Sequence, residues 1–436
     1  MLKFFALLGD VLVFYLALFS AILIRYQGFP TIRFLEHLPA FSILLLAWIF
    51  FGYLSGIYEL EVFINDRRFA FRLNRLLFIQ ALVMLFVFYF LPFFSINPRV
   101  IFLIFILAFS VLMYIWRSTF NSFAASKRKN RKVILIGASR SAEKLARFLE
   151  ANPQFGLSVT AHITSPVAQA DFQSSDADFL ISSGIYLKDS LFAEASNLNS
   201  RDLPLFTVLE AYRGVFRFFP IEEFVHETKM HVAPRESRFF SGLKRAFELM
   251  ASGVLVVLLS PIFVLIAVAI WLNSKGKIFY SQIRSGKDGQ PFKLYKFRSM
   301  SSDENINPDG LGSVPIWSTG KEDSRVTAVG KFLRSTHLDE LPQLINIFKG
   351  DMSFIGPRPE RPEFDKELIA QIPHYEMRYA MKPGVTGWAQ INYPYAASVE
   401  QARERLEHDL YYLFERSLIL DVRILLKTLR HFFIRT

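Results

Sequence analysis

Apolar residues gather in long blocks at the start of the chain, over residues 4–24, 38–57, 76–94 and 100–116. Each approaches the roughly 20 helical residues that cross a bilayer's hydrocarbon, so the pattern predicts a four-helix N-terminal membrane bundle over 1–120. The first block is too long, and the next follows too soon, for a cleaved signal peptide. Asp10 interrupts it and reads as a polar residue at a helix interface near the headgroups, ahead of a proton relay. From 121 to 240 the pattern changes to a soluble α/β alternation. "KVILIGASRSAEKLARFLE" reads as a buried strand, a glycine turn and an amphipathic helix, and "ADFLIS" and "PLFTVL" as later strands. This predicts a Rossmann-like middle domain.

A fifth apolar block spans 247–272 and has Ser260-Pro261 at its middle. Proline removes a backbone donor and kinks a helix, and the serine can satisfy freed backbone groups. Charge then sets sidedness. Arg67, Arg68, Arg72 and Arg75 follow the second block, and Arg117, Lys127, Arg128, Lys129, Arg131 and Lys132 follow the fourth. The positive-inside rule puts both regions, and all that follows, in the cytoplasm. Arg235, Arg238, Lys244 and Arg245 precede the fifth block, and Lys275, Lys277 and Arg284 follow it. Both ends read as cytoplasmic, so a re-entrant helix is expected over 247–272. The alternative, a kinked spanning helix, would strand the remaining residues outside. The block at 418–433, with Arg423, Lys427 and Arg430, reads as an amphipathic helix that lies on the membrane or packs on the core.

The net charge of +11 comes with 52% hydrophobic residues. Lys and Arg flank apolar blocks, an arrangement suited to lipid headgroups and phosphate substrates rather than nucleic acid. The absence of cysteine excludes disulfides, thiol nucleophiles and Cys-ligated zinc. The 8 histidines form no HExxH-type pair. In the middle domain Gly137 is present, but Ser139 and Ala142 stand where a dinucleotide fingerprint has its second and third glycines. No Tyr-x-x-x-Lys pair occurs, so an epimerase or dehydratase lacks its acid/base couple. A structural or regulatory domain is expected.

Candidate chemistry concentrates in 241–436. "GKDGQPFKLYKFRSM" predicts a turn at Asp288-Gly289 and then a basic, aromatic strand. Lys293, Lys296 and Arg298 are read as one face of that strand, suited to a phosphate. Leu341, Leu344, Ile345 and Phe348 repeat at helical spacing, and Pro342 suits a first turn. Asp339 and Glu340 are therefore expected at a helix N-terminus, where the dipole lowers a carboxylate's pKa. There Asp339 suits a nucleophile and Glu340 a Mg²⁺ ligand; the plainer alternative is a pair of acids complementing the dipole. "GPRP" brackets Arg358 with prolines that hold a phosphate-binding guanidinium in place, or else forms a surface turn.

These motifs resemble the bacterial sugar transferases, the monotopic phosphoglycosyl transferases that act on polyprenyl phosphate. From about residue 239 the chain is similar to them in Ser260-Pro261, "KFRSM", Asp323-x-Arg325-x-Thr327, "DELPQL", "GDMSFIGPRPE", "KPGVTGWAQIN" and Asp409-x-x-Tyr412 through Ser417 to Asp421. The four-helix start and nucleotide-binding-like middle resemble the large members, and "INYPYAAS" those of exopolysaccharide synthesis. The fold this implies is an α/β membrane protein with an α/β catalytic domain anchored by a re-entrant helix. The resemblance implies that Asp339 is the nucleophile and Glu340 binds Mg²⁺. Arg358, Lys296, Arg298 and Arg325 would hold substrate phosphates, and Ser260 and Pro261 would break the membrane helix. The implied reaction moves a sugar 1-phosphate from a UDP-sugar to undecaprenyl phosphate through an aspartyl intermediate and releases UMP. It also implies the cytoplasmic face of a bacterial inner membrane, contact with membrane lipid and a homodimer through the middle domain. Two alternatives stand beside it: a nucleotide-sugar epimerase or dehydratase, and a non-enzymatic polysaccharide assembly factor.

Overall fold

A computed structural model describes residues 2–27, 31–58, 65–90, 99–127, 131–152, 155–164, 177–183, 203–227, 238–300, 326–393 and 398–434. It is mostly helical and divides into two compact units, Met1–Leu135 with Lys144–Leu180 and Asp202–Pro204, and Ile136–Glu143 with Ile181–Arg201 and Leu205–Thr436.

In the first unit, α1 (Leu2–Tyr26), α2 (Thr31–Ser55), α3 (Arg67–Phe90) and α4 (Arg99–Lys127) are long and apolar enough to cross a membrane. α1 packs on α4, and α2 on α3. The bundle is held by aromatic packing: Phe14 stacks edge-on to Phe105 and Phe109 with ring centroids 5.0 and 5.3 Å apart. Asp10 and Arg117 are fully buried in it and pair at 2.5 Å. Asp10 also accepts from Tyr58 Oη at 2.8 Å, Trp48 Nε1 at 3.2 Å and Trp116 Nε1 at 3.1 Å. Gly9 makes room for this group, since a Cβ there would fall 1.7 Å from the Trp116 ring. The expected interface role of Asp10 thus takes the form of a charge pair tying α1 to α4.

A four-stranded sheet with the order β2-β1-β3-β4 follows, made of β1 (Arg131–Ile136), β2 (Leu157–Ile163), β3 (Phe179–Ser182) and β4 (Leu205–Thr207). β1 leads through Gly137, at φ +124°, into the amphipathic α5 (Arg140–Ala151). Ser139 caps α5 by accepting from Ala142 N at 3.1 Å, the usual device for a helix's free N–H groups.

Within the second unit, α6 (Val208–Val215), α7 (Ile221–Glu227) and the link between them contribute Leu209, Phe219, Ile221 and Phe224 to a core shared with Leu406, Leu410 and Leu413. α8 (Arg238–Leu258) and α9 (Ser260–Asn273) meet at a 57° bend. Pro261 has no N–H to give the Val257 carbonyl, four residues earlier, and Ser260 Oγ donates to that carbonyl instead at 2.7 Å. Both helices carry exposed apolar side chains, among them Val257, Leu258, Leu265 and Trp271. β5 (Phe279–Ser285) and β6 (Pro291–Phe297) form an antiparallel hairpin, turned at Asp288 and Gly289 with φ of 56° and 72°, as the Asp-Gly pair predicts.

α10 (Ala328–Ser335) leads to a 3₁₀ turn, Leu338–Glu340, and to the short α11 (Gln343–Lys349). The Asn346 side chain joins α11 to β6: it donates to Lys293 O at 2.7 Å and accepts from Tyr295 N at 3.1 Å. β7 (Ser353–Ile355) runs parallel to β8 (Gly384–Thr386), with α12 (Pro362–Gln371) between them in the chain. α13 (Trp388–Asn392), α14 (Val399–Glu415) and α15 (Leu418–Ile434) complete the chain. α15 buries Leu420 and Ile424 in the core and exposes Leu418, Ile419 and Val422, so it does pack on the core while keeping an apolar outer face.

Candidate active site

Asp339 and Glu340 lie in the 3₁₀ turn that precedes α11, not in the first turn of a longer helix. The bend is made by His337, which adopts the left-handed conformation at φ 54°, uncommon for a residue other than glycine. Packing then separates the two acids. Asp339 is buried, and that desolvation raises its pKa, with Lys296 pulling the other way. The expected dipole-lowered pKa does not hold for Asp339: burial disfavours its charge more than its surroundings support it. Burial acts on Glu340 too, but Arg358 and Lys296 outweigh it and hold its pKa at about 2. Lys296 Nζ donates to Glu340 Oε1 at 2.7 Å, and Arg358 Nη2 stands 3.7 Å from the same oxygen.

Thus four expected residues converge: Asp339, Glu340, Lys296 and Arg358. Arg298 goes elsewhere. Its guanidinium donates to Ser274 O at 2.7 Å, Ser274 Oγ at 2.9 Å and Lys275 O at 2.8 Å. Carbonyls at a helix C-terminus lack partners within the helix and attract a cation, and Arg298 satisfies those at the end of α9. The expected single basic face also needs correction: Lys293 and Lys296 are three residues apart on β6, an odd spacing that puts them on opposite faces. Arg325, with Asp323, lies outside the described residues. Ser260 and Pro261 stand at the bend between α8 and α9.

Two neighbours of the acid pair carry no motif of their own. Arg334 and His337 both act electrostatically to lower Asp339. His337 had one available signal, its position two residues before Asp339 in a turn-forming stretch. The "GPRP" loop sits on "KPGVTG": Gly384 N donates to Pro357 O at 2.8 Å, and Gly356 N to Thr386 O at 2.9 Å. The backbones approach so closely that a Cβ on Gly384 would lie 2.0 Å from Gly356 N.

The acid pair, the lysine and the arginine together provide a carboxylate of raised proton affinity beside an ionised one that is flanked by cations. That combination suits attack on, and neutralisation of, a phosphoryl group. For Mg²⁺ the donor chemistry fits: Glu340 stays ionised, and this ion takes one or two carboxylates and completes its shell with substrate phosphates and water. Among the described residues no cluster of three or more acidic or histidine side chains gathers.

A family model described as bacterial sugar transferase matches residues 239–435. A UDP-N-acetylgalactosamine-undecaprenyl-phosphate N-acetylgalactosaminephosphotransferase of Aeromonas hydrophila is 41% identical over 194 residues, 44% of this chain and 44% of its own. A UDP-glucose:undecaprenyl-phosphate glucose-1-phosphate transferase of Klebsiella pneumoniae is 41% identical over 187 residues, 42% of this chain and 39% of its own. Exopolysaccharide production protein PSS of Rhizobium leguminosarum bv. phaseoli is 38% identical over 194 residues, 43% of this chain and 92% of its own. The match spans less than half the length of the first two relatives and nearly all of the third. With that coverage, the chain belongs to the bacterial sugar transferases.

Proposed function

We propose that this chain transfers a sugar 1-phosphate from a UDP-sugar to undecaprenyl phosphate and releases UMP, starting an exopolysaccharide or other glycoconjugate. The observation that carries this reading is the pairing of Asp339 with Glu340 beneath Lys296 and Arg358, inside the segment matched by the family model. The names of the Aeromonas and Klebsiella relatives supply the substrate classes.

In the first step the Asp339 carboxylate attacks the sugar-bearing phosphorus. An Asp–O–P bond forms, the bond to the bridging oxygen breaks, and its electron pair leaves with UMP. In the second step an oxygen of undecaprenyl phosphate attacks the same phosphorus. The aspartyl–phosphorus bond breaks, the carboxylate is restored and a lipid diphosphosugar departs. Lys296 favours the ionised form of Asp339, while Arg358 and Lys296 supply positive charge for the phosphates. Glu340 is the residue that would hold Mg²⁺, which when bound neutralises charge on the diphosphate.

The bent α8–α9 pair is read as re-entrant, entering and leaving on the cytoplasmic face of a bacterial inner membrane. α15 lies along the surface. Both keep the site at headgroup depth, where a lipid phosphate must remain. The Rossmann-like segment is read as structural or regulatory, with a homodimer formed through it.

The test is nucleotide release by purified protein given undecaprenyl phosphate, Mg²⁺ and a panel of UDP-sugars. Lipid-dependent UMP is expected from one donor, and Asp339→Asn should abolish it while the protein stays folded. UDP in place of UMP, or more than about a tenth of activity left in that variant, would overturn the aspartyl mechanism. Neither nucleotide from a broad panel would shift the reading to an assembly factor.

A further inference from the structure

The loop that carries Arg358 is held by its carbonyls, and two of the donors are guanidiniums, one of them buried. Pro357 O accepts from Gly384 N at 2.8 Å and Glu360 O from Ser285 N at 3.0 Å. Between them, Arg358 O accepts from Arg378 Nη2 at 3.0 Å and Pro359 O from Arg284 Nη1 at 3.1 Å. Four consecutive carbonyls, from Pro357 to Glu360, are thus each fixed by a donor from elsewhere in the chain. The proline rings flanking Arg358 restrict its backbone further.

Arg378 is an unusual choice for such a contact. It is 4% exposed, and burying a guanidinium is costly unless it is paired. The same Nη2 that holds Arg358 O also donates to Asp409 Oδ2 at 3.1 Å, and Nη1 donates to Tyr375 Oη. Asp409 is itself buried on α14, so burial raises its pKa while Arg378 and then Arg405 oppose this. Arg405 in turn donates to Glu360 Oε1 at 3.0 Å, at the far end of the same loop. A structural salt bridge alone would need Arg378 and Asp409 but not the Arg358 carbonyl.

We infer that Arg378, anchored by Asp409, is a positioning residue: it fixes the Arg358 backbone so that the Arg358 guanidinium points at the phosphate site beside Glu340. The inference rests on the reading of Arg358 as a phosphate ligand. It goes beyond it by assigning a task to a buried pair that lies outside the acid pair and bonds to the Arg358 carbonyl instead. Misplacing a binding group by about 1 Å costs roughly 10²-fold in rate, so a guanidinium that sets a carbonyl can matter as much as one that meets the substrate.

The discriminating experiment is a double-mutant cycle on the full chain in lipid nanodiscs. It measures kcat/KM for UMP release from UDP-glucose or UDP-N-acetylgalactosamine, with thermal melts as the folding control. Arg378→Gln should lower kcat/KM about 10- to 100-fold in the wild-type background. In an Arg358→Ala background it should add less than about twofold, because the residue it acts through is gone. If Arg378→Gln fails to fold, Arg378→Lys replaces it in the cycle. That variant keeps a charge for Asp409 but lacks the planar fork whose second arm, Nη1, is fixed by Tyr375 Oη. Multiplicative losses in the cycle, or full activity in a folded Arg378 variant, would overturn the inference alone. An Arg358→Ala variant as active as the wild type, or a wild type that releases no UMP, would overturn the parent reading and this inference with it.

Discussion

Lys296 joins β6 to the acid pair by a 2.7 Å bond to Glu340, and its charge also reaches Asp339. The two adjacent carboxylates nevertheless differ in proton affinity, because burial prevails at Asp339 while Arg358 and Lys296 prevail at Glu340. Glu340 is depressed to about 2; its contribution to stability is present above its ordinary 4.5 and is lost as pH falls through 2. Asp339 is raised, so the sign is opposite. Its ionisation disfavours the folded state as pH rises from 3.8 through its elevated value.

Activity follows the ionised Asp339, so the acid limb of UMP release should lie above the ordinary aspartate range. Lys296→Met removes the leading charge that lowers Asp339 and should move that limb to higher pH, besides reducing the rate. A pH–rate profile of the two proteins checks this. A limb that stays in place would mean that Lys296 does not set the ionisation of Asp339.

The pair between Asp10 and Arg117 makes a prediction for the bundle. Both side chains are fully buried, and removing one partner of a buried pair typically costs about 3–5 kcal/mol because the other charge is left alone. Arg117→Met should therefore lower the unfolding midpoint of the purified protein sharply. Asp10→Leu combined with Arg117→Met should cost less than Arg117→Met by itself. Equal or greater loss in the double variant would show that the aromatic donors around Asp10, rather than the charge pair, hold the helices.

Glu223 makes a prediction for the segment read as Rossmann-like. It is fully buried, accepting from Ser139 Oγ at 2.6 Å and from Ser183 Oγ at 2.9 Å. Ser139 is the cap of α5, so a resident carboxylate lies one hydrogen bond from the helix end where dinucleotide phosphates bind in this kind of fold. NAD⁺ and NADH should leave the melting temperature unchanged. Glu223→Ala should lower it, since two buried hydroxyls lose their acceptor at about 1–3 kcal/mol. A saturable rise in melting temperature with NADH would return weight to an epimerase or dehydratase.

What could be read in the sequence was what neighbours in the chain decide together. Asp288-Gly289 encodes its own turn, Pro261 and Ser260 encode both the lost donor and its replacement, and "DELP" and "GPRP" are contiguous. Arg298 was not readable in this way: its partners, Ser274 and Lys275, precede it by 24 and 23 residues, and only the fold brings that helix end to it. The proton affinity of Asp339 depends on burial, which no local pattern reports. Arg378 contacts a carbonyl 20 residues away, and a basic residue between tyrosines gives no hint of that. Lys293 differs, because the odd spacing that separates it from Lys296 can be counted in the sequence.

The amide of Asn346 has a consequence for the company the protein keeps. A two-stranded hairpin offers two open rims, and an open rim invites strands from other chains. Asn346 offers the outer strand an N–H and a C=O in the places a third strand would use. One side chain thus closes the rim at Lys293 and Tyr295. Asn346→Asp keeps the shape but, when ionised, loses the donor, and would reopen Lys293 O to intermolecular pairing among copies crowded on one membrane.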